Sequence, residues 1–400
     1  MPSAKLGQAV LTLALLAQVA PLGAQSSPVL TWHGEIRPRV LGREPVEGSW
    51  DHFTSMRSRV GLDARMGESL RLFFQVQDVR TWGEELGVRD RSADAIDFHQ
   101  AFLEVGDLPG VEGTIRAGRQ EVGLAEERLL GAPDWGQAGQ TFDGARYIRP
   151  LGRQRLELLF LQLQEDSAPD HDRGAHLLAA WLALSTGPAG SADIFLVHDA
   201  GSGPAGNRQN SAGAVWRTDR GRFSGRFQGV YQFGERNGTD VSAFLLAARA
   251  GLSALDRRGS LTLWYDYLSG DGDPSNEQVR VFSTLFGARN RFYGRADHFT
   301  DIPDQTGGLG LQDAAVKLSF RPAESISVSL DLHSFRSASE GQSTSQRFGE
   351  EADFWVRVPF RQYLTLQAGY SLTRAGPLME ELELLEGTGH TAYLMTSLKF

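Results

Sequence analysis

The residues most able to do chemistry in this chain are arginines spaced two apart, with carboxylates on the same parity. Arg57, Arg59, Asp63 and Arg65 alternate with Val60, Leu62 and Ala64. Arg71, Gln75 and Gln77 alternate with Leu70, Leu72, Phe74 and Val76, and Arg222 and Arg226 alternate with Phe223 and Phe227. Glu104, Arg116, Arg146, Glu157, Asp266, Asp331, His333, Asp353 and Arg357 continue the theme. Of 40 basic residues only Lys5, Lys317 and Lys399 are lysine. A guanidinium is planar, always charged and carries five donors, so this set suits carboxylate recognition. Periodicity alone leaves two readings: a conduit for anions, in which arginine rings select and interleaved carboxylates shorten residence, or a ladder of ion pairs that stiffens the structure.

Other chemistries find less support. The chain has no cysteine, which removes disulfides and thiolate metal sites. The nine histidines form no HExxH pair, and neither a G-x-S-x-G elbow nor a phosphate-cradling P-loop occurs. Ser329 and His333 share a parity but stand four apart, about 13 Å along a strand, too far for direct contact. No catalytic residue, cofactor or enzymatic activity is expected. Asp271 and Asp273, with Asn276 and Glu277, are the candidate calcium ligands, though their spacing misses the EF-hand pattern. The net charge of −9 argues against a nucleic-acid partner.

The elements that must position these side chains are β-strands. In Arg222 to Phe233, Phe223, Phe227, Tyr231 and Phe233 fall on one parity and Arg222, Arg226, Gln228 and Gln232 on the other. Alternate residues of a strand point to opposite faces, so each such segment has an oily and a wet side. Segments of this kind recur from near residue 30 to Phe400. Eighteen can be placed, with sixteen as the alternative count. Short turns, as at Met66-Gly67-Glu68, Asp107 to Gly110 and Pro150 to Arg153, alternate with long connections at 82–96, 122–140, 269–311, 336–349 and 374–389. This asymmetry predicts an all-β, transmembrane antiparallel barrel with tight periplasmic turns, long outer loops and both termini periplasmic. No mature segment approaches an uncharged apolar run of about 18 residues, so helical spans are not expected.

An arginine facing lipid at mid-depth costs about 2–4 kcal/mol, which assigns the charged parity to the lumen. Residues 1–25, with Lys5 ahead of the apolar run Leu6 to Val19 and a cleavage point at Ala24-Gln25, read as a signal peptide. Residues 26–400 then form one barrel in the outer membrane of a Gram-negative-type bacterium. The outer loop 269–311 is long enough to enter the pore. A TonB-coupled receptor is disfavoured, because no plug domain precedes the first strand.

Two stretches depart from plain alternation. The first holds Gly118-Arg119-Gln120-Glu121, Arg128-Leu129-Leu130-Gly131, Asp134-Trp135 and Phe142-Asp143-Gly144-Ala145-Arg146. The second holds Ser269-Gly270-Asp271-Gly272-Asp273 and Phe292-Tyr293-Gly294-Arg295-Ala296-Asp297-His298-Phe299. In this order the set resembles the alginate export family of outer-membrane proteins over nearly the whole mature chain. The resemblance implies an eighteen-stranded monomeric barrel with an electropositive pore, whose founding members pass a polyuronate outward. It implies that Arg119, Arg128, Arg146, Arg291 and Arg295 line or border the pore, with Asp143 and Asp297 as counter-charges and Trp135 in the loop between. Lysine is almost absent here, a departure from the family.

The combined expectation is a passive channel for an anionic solute, either an acidic saccharide or a small sugar acid, lined by Arg57, Arg59, Arg116, Arg119, Arg128, Trp135, Asp143, Arg146, Arg226, Arg291, Arg295 and Asp297. Its partners are that solute, outer-membrane lipid and periplasmic export components. The alternatives are a general diffusion porin and a plugged surface barrel with a binding or structural role.

Overall fold

The computed structural model describes residues 27–44, 48–84, 96–164, 175–187, 190–201, 207–273, 275, 277–343 and 345–400. The signal-peptide reading lies outside these residues, as does Asn276.

Eighteen antiparallel strands close into a barrel. They are β1 (Val29–Glu44), β2 (Asp51–Met66), β3 (Leu70–Thr81), β4 (Asp97–Gly106), β5 (Thr114–Gln120), β6 (Phe142–Leu151), β7 (Gln154–Gln164), β8 (Ala175–Ser185), β9 (Ser191–Ala200) and β10 (Asn207–Arg220). The wall continues with β11 (Phe223–Arg236), β12 (Thr239–Ala254), β13 (Gly259–Leu268), β15 (Leu311–Ala323), β16 (Ile326–Arg336), β17 (Arg347–Pro359), β18 (Leu364–Ala375) and β19 (Thr388–Lys399). A two-residue segment, β14 (Gln278–Val279), lies in the 269–310 connection and pairs in parallel with β12. Each wall strand pairs with its neighbours in sequence, and β1 closes on β19 from Glu35↔Lys399 to Glu44↔His390. Closure leaves no open edge in hydrocarbon, where each unpaired amide would cost several kcal/mol. The start of β1 at Val29 and the end of β19 at Lys399 lie at the rim that carries the short turns.

Strand parity sorts the side chains. Ser55, Arg57, Arg59 and Asp63 of β2 are buried inside, whereas Val60 is 48% exposed on the outer face. In β11, Gln228, Val230 and Gln232 turn inward and Phe223, Phe227, Tyr231 and Phe233 outward. The sequence reading ends β11 at Gly234 and resumes at Val241. In the fold both strands run on to a two-residue Asn237-Gly238 turn with φ of 51° and 81°, a conformation that suits the twist of a hairpin. Arg222, assigned to the lumen by parity, falls instead in the turn before β11.

The interior is not uniformly polar. Two connections, 121–141 and 269–310, fold into the barrel and bond to each other: Gly131 N donates to Phe286 O at 3.0 Å, Phe286 N to Leu129 O at 2.9 Å and Ala288 N to Glu127 O at 2.8 Å. Leu129, Leu130 and Phe282 from these loops form an apolar core with Leu161, Leu177, Trp181, Val197, Leu245 and Leu268 of the wall. Each such buried side chain contributes about 1.5–3 kcal/mol to docking. The expectation of a polar inward parity therefore fails in part from β7 to β13, at positions such as Leu159, Leu161, Leu177, Trp181, Val197 and Leu245. Its signal is visible in Leu158 to Leu161 and in Leu177 to Leu184, which are apolar on both parities because one face meets lipid and the other meets the folded loops.

Candidate functional site: an arginine eyelet inside the barrel

Strand β1 turns Glu35, Arg37, Arg39, Leu41 and Arg43 inward. Beside it β2 presents Arg57 and Arg59. Against this row lies a finger of the first inserted loop, residues 134–138, which the arginines grip by its carbonyl oxygens. Arg37 donates to Asp134 O at 2.6 Å and to Gly136 O at 3.0 Å. Arg39 donates to Trp135 O at 2.7 Å, and Arg59 to Ala138 O at 3.1 Å. Arg57 bonds to the Asp134 carboxylate at 2.7 Å and to Glu35. Arg57 and Arg59 were expected to meet solute directly. They are instead almost fully buried, at 0% and 7% exposure, and anchor the finger.

Two cavities lie in this region. One, of about 380 Å³, is lined by Glu35, Arg57, Arg59, Asp134 and Lys399, among others. The other, of about 240 Å³, includes Arg43, Asp297, His298 and His390. Asp134 borders the first, and Trp135 reaches the second by donating from Nε1 to Asp297 Oδ2 at 2.9 Å.

Around Trp135 the side chains form an eyelet. The Arg39 guanidinium lies 4.5 Å over its ring, and Tyr393 of β19 meets that ring edge-on with centroids 4.8 Å apart. Arg43 stands 3.5 Å from Asp297. Arg295 stacks 3.8 Å over Trp355 of β17. Such stacking holds a guanidinium in place while leaving donors free at its edge.

The Phe292 to Phe299 motif earns its shape here. The backbone nitrogens of Arg295 and Ala296 donate to Glu351 Oε1 at 2.7 and 3.0 Å. Gly294, at φ 84°, permits this, because a Cβ there would run into the Glu351 carboxylate. Burial pushes the Asp297 carboxyl above its ordinary value, against the pull of the Trp135 donor and of Arg43, Arg39 and Arg295. His298 is buried beside Arg43, and both causes hold its pKa down at about 4, so it is neutral at pH 7.

The remaining candidates take other places. Arg116 faces inward, pairs with Glu104 and lies 4.3 Å over Phe102. Arg146 faces inward and pairs with Glu157 at 2.5 Å. Arg226 contacts Glu126 at 3.0 Å, and Arg291 contacts Glu127 at 3.0 Å on the surface of the inserted loops. Arg128 does not border open lumen. Its side chain has no exposure, lies 2.7 Å from Asp266, donates to Tyr293 Oη at 3.0 Å and packs 4.1 Å from the Phe292 ring. The two motifs therefore meet in one buried joint between the inserted loops and β13.

Arg119 and Asp143 correct the expectation outright. They sit opposite each other on β5 and β6, bonded at 2.9 Å, but point out of the barrel with Asp97. The inward position beside them belongs to Gly118, at φ 122°, whose missing Cβ would strike Ala101 O. Asp271 and Asp273 bond within their own loop. Asp271 accepts from the backbone nitrogens of Asp273 and Arg280, and Asp273 accepts from Ser275. Among the described residues no group of three or more His, Asp or Glu is arranged to hold a metal.

Arg39, Arg43, Tyr393 and Trp355 were missed by sequence reasoning. The parity of Arg37, Arg39 and Arg43 in β1 was the available signal.

The family model described as alginate export matches residues 43–382. The chain belongs to the alginate export family. Its barrel is similar to solved structures of OpdL from Pseudomonas aeruginosa, with TM-score 0.67, 11% identity and coverage of 93% of this chain and 98% of that one. It is similar also to OccAB4 from Acinetobacter baumannii, with TM-score 0.66, 9% identity and coverage of 94% and 99%, and to OpdQ from Pseudomonas aeruginosa, with TM-score 0.65, 13% identity and coverage of 93% and 97%. No curated protein matches the sequence. As a family member the chain is an outer-membrane β-barrel of porin-like transport type. Family and fold are those of channels.

Proposed function

We propose that this barrel is a passive channel for an anionic solute, a sugar acid or acidic saccharide, which passes the arginine eyelet without covalent chemistry. The tight turns and both termini would then face the periplasm. The observation that carries the reading is the arrangement of Arg43 and Arg295 beside Trp135, Tyr393 and Trp355, with Arg39 buried behind the Trp135 ring to hold it and Asp297 as the neighbouring carboxylate. Guanidiniums select negative charge, and neighbouring aromatic faces offer an apolar surface to sugar rings. Asp297 keeps the site from holding an anion too long.

The test is the reversal potential of refolded protein in a planar bilayer under a potassium chloride gradient. Anion selectivity that falls when Arg39, Arg43 and Arg295 are replaced by glutamine supports the eyelet. Selectivity untouched by the triple change would remove it from the pathway. Blockade by added oligouronate favours a saccharide channel, and weak selectivity without blockade favours a general porin. A plugged barrel is the second reading, favoured by the two inserted loops that bond to each other and pack against the wall. Deletion of 131–139 that leaves current unchanged would count against it.

A further inference from the structure

A second charged constellation lies across the barrel from the eyelet, on β10, β11 and β12. Arg217, Arg226 and Arg249 occupy directly opposed positions, Arg217↔Arg226 and Arg226↔Arg249, and so form one row of three guanidiniums over adjacent strands. Like charges directly opposite destabilise a sheet, so the row requires an anion. That anion is Glu126, at the tip of the first inserted loop. Its Oε1 accepts from Arg217 Nε at 2.5 Å, and its Oε2 accepts from Arg226 Nη1 at 3.0 Å and Arg249 Nη1 at 3.1 Å.

The loop is bent hard to deliver this carboxylate. Ala125, Glu126 and Glu127 are consecutive non-glycine residues with φ of 38°, 68° and 63°. Strain of this kind persists only where surrounding contacts hold it. Release of Glu126 would relieve the strain but leave the arginine row with Asp193, 2.8 Å from Arg217, as its remaining carboxylate contact. Arg226 and Arg249 would then lose the carboxylate they contact. Arg226 is already half open to water, with 46% of its side chain exposed, and Arg249 is held flat 3.5 Å over Trp264.

We propose that Arg217, Arg226 and Arg249 form a carboxylate-binding site on the lumen wall, filled in this structure by the chain's own Glu126, which a carboxylate of the passing solute displaces. Exchange frees the loop tip and so couples solute binding to movement of the inserted loop. No bond is made or broken beyond hydrogen bonds and ion pairs. The site deepens the anionic-channel reading and rests on it for the identity of the visitor.

The experiment is calorimetric titration of refolded full-length barrel in detergent micelles with sodium gluconate, with sorbitol as the neutral control. It needs no conduction. A tethered carboxylate competes at an effective concentration in the millimolar range or above, so Glu126→Gln should tighten gluconate binding about tenfold or more. Sorbitol should bind neither protein. Adding Arg226→Gln to Glu126→Gln should abolish the gain. Equal gluconate affinity in wild type and Glu126→Gln, no heat from either, or sorbitol binding like gluconate, would each overturn the proposal. If Glu126→Gln does not refold, Arg226→Gln in the wild-type background must weaken gluconate binding, and unchanged affinity overturns the proposal equally. Reversal potentials report separately on the channel reading: a cation-selective wild type with tight gluconate binding in Glu126→Gln would sink that reading and leave the site standing.

Discussion

Replacing Asp266 with alanine should loosen the inserted loops without unfolding the wall. Arg128 Nη2 lies 2.8 Å from Oδ1 and 2.7 Å from Oδ2 of Asp266, and neither side chain has any exposure. Removing the carboxylate leaves a buried guanidinium with Tyr293 as its polar partner and the Phe292 ring beside it. Breaking one side of a buried pair costs about 3–5 kcal/mol. Because Arg128 belongs to a loop, the cheapest response is local undocking, and the penalty should fall on loop amides. At about 1.4 kcal/mol per decade it corresponds to roughly two to three and a half decades in hydrogen exchange. The reporters are the amides that join the two loops, Gly131, Phe286 and Ala288, with the amides of β1 and β2 as the unaffected reference. The paired change Arg128→Met with Asp266→Leu removes both charges and should restore protection to at least the wild-type level, since apolar replacement of a buried pair is often neutral or stabilising. If Asp266→Ala leaves those three amides as protected as in wild type, the joint is not what docks the loops.

Two further outcomes follow from the same geometry. Arg119→Gln and Asp143→Asn should leave ion selectivity unchanged in bilayer recordings, because their side chains point out of the barrel; a shift comparable to that of the eyelet variants would return them to the lumen. Acid should unlatch the loop tip. Burial works to raise the Glu126 carboxyl, but the Arg217 hydrogen bond and the Arg226 and Arg249 charges outweigh it and hold it at about 2, below the ordinary 4.5. A depressed acid stabilises fully above about pH 4.5 and loses that contribution as pH falls toward 2, on the order of 3 kcal/mol in all. Protection of the Glu127 amide, which donates to Leu124 O at 2.7 Å, should therefore fall relative to strand amides between pH 5 and pH 3 in wild type and stay flat in Glu126→Gln.

Strand number, wall order and the placing of most charges inside follow from a period of two, a local property that survives in any register. Arg116, Arg146 and Arg226 could be assigned from parity alone for that reason. Arg119 lies three residues beyond Arg116 on the same unbroken strand, and Asp143 three before Arg146, so the same parity points both outward; their inward placing came from the family resemblance.

The sequence by itself determined a closed barrel with an arginine-rich interior, since alternation and loop length are written residue by residue and lipid tolerates no open edge. Only the tertiary structure decided which arginines remain available. That depends on the path of two loops through the lumen, which bring Asp134 to Arg57, Arg128 to Asp266 and Glu126 to the row on β10 to β12. These pairs join residues from 77 to 138 positions apart, and whether a guanidinium meets water or a carboxylate is fixed by that long-range packing. Arg39, 6% exposed, is spent on the finger like Arg59, whereas Arg43 stays 45% exposed beside Asp297 and Arg295 packs on an aromatic ring, which cancels no charge.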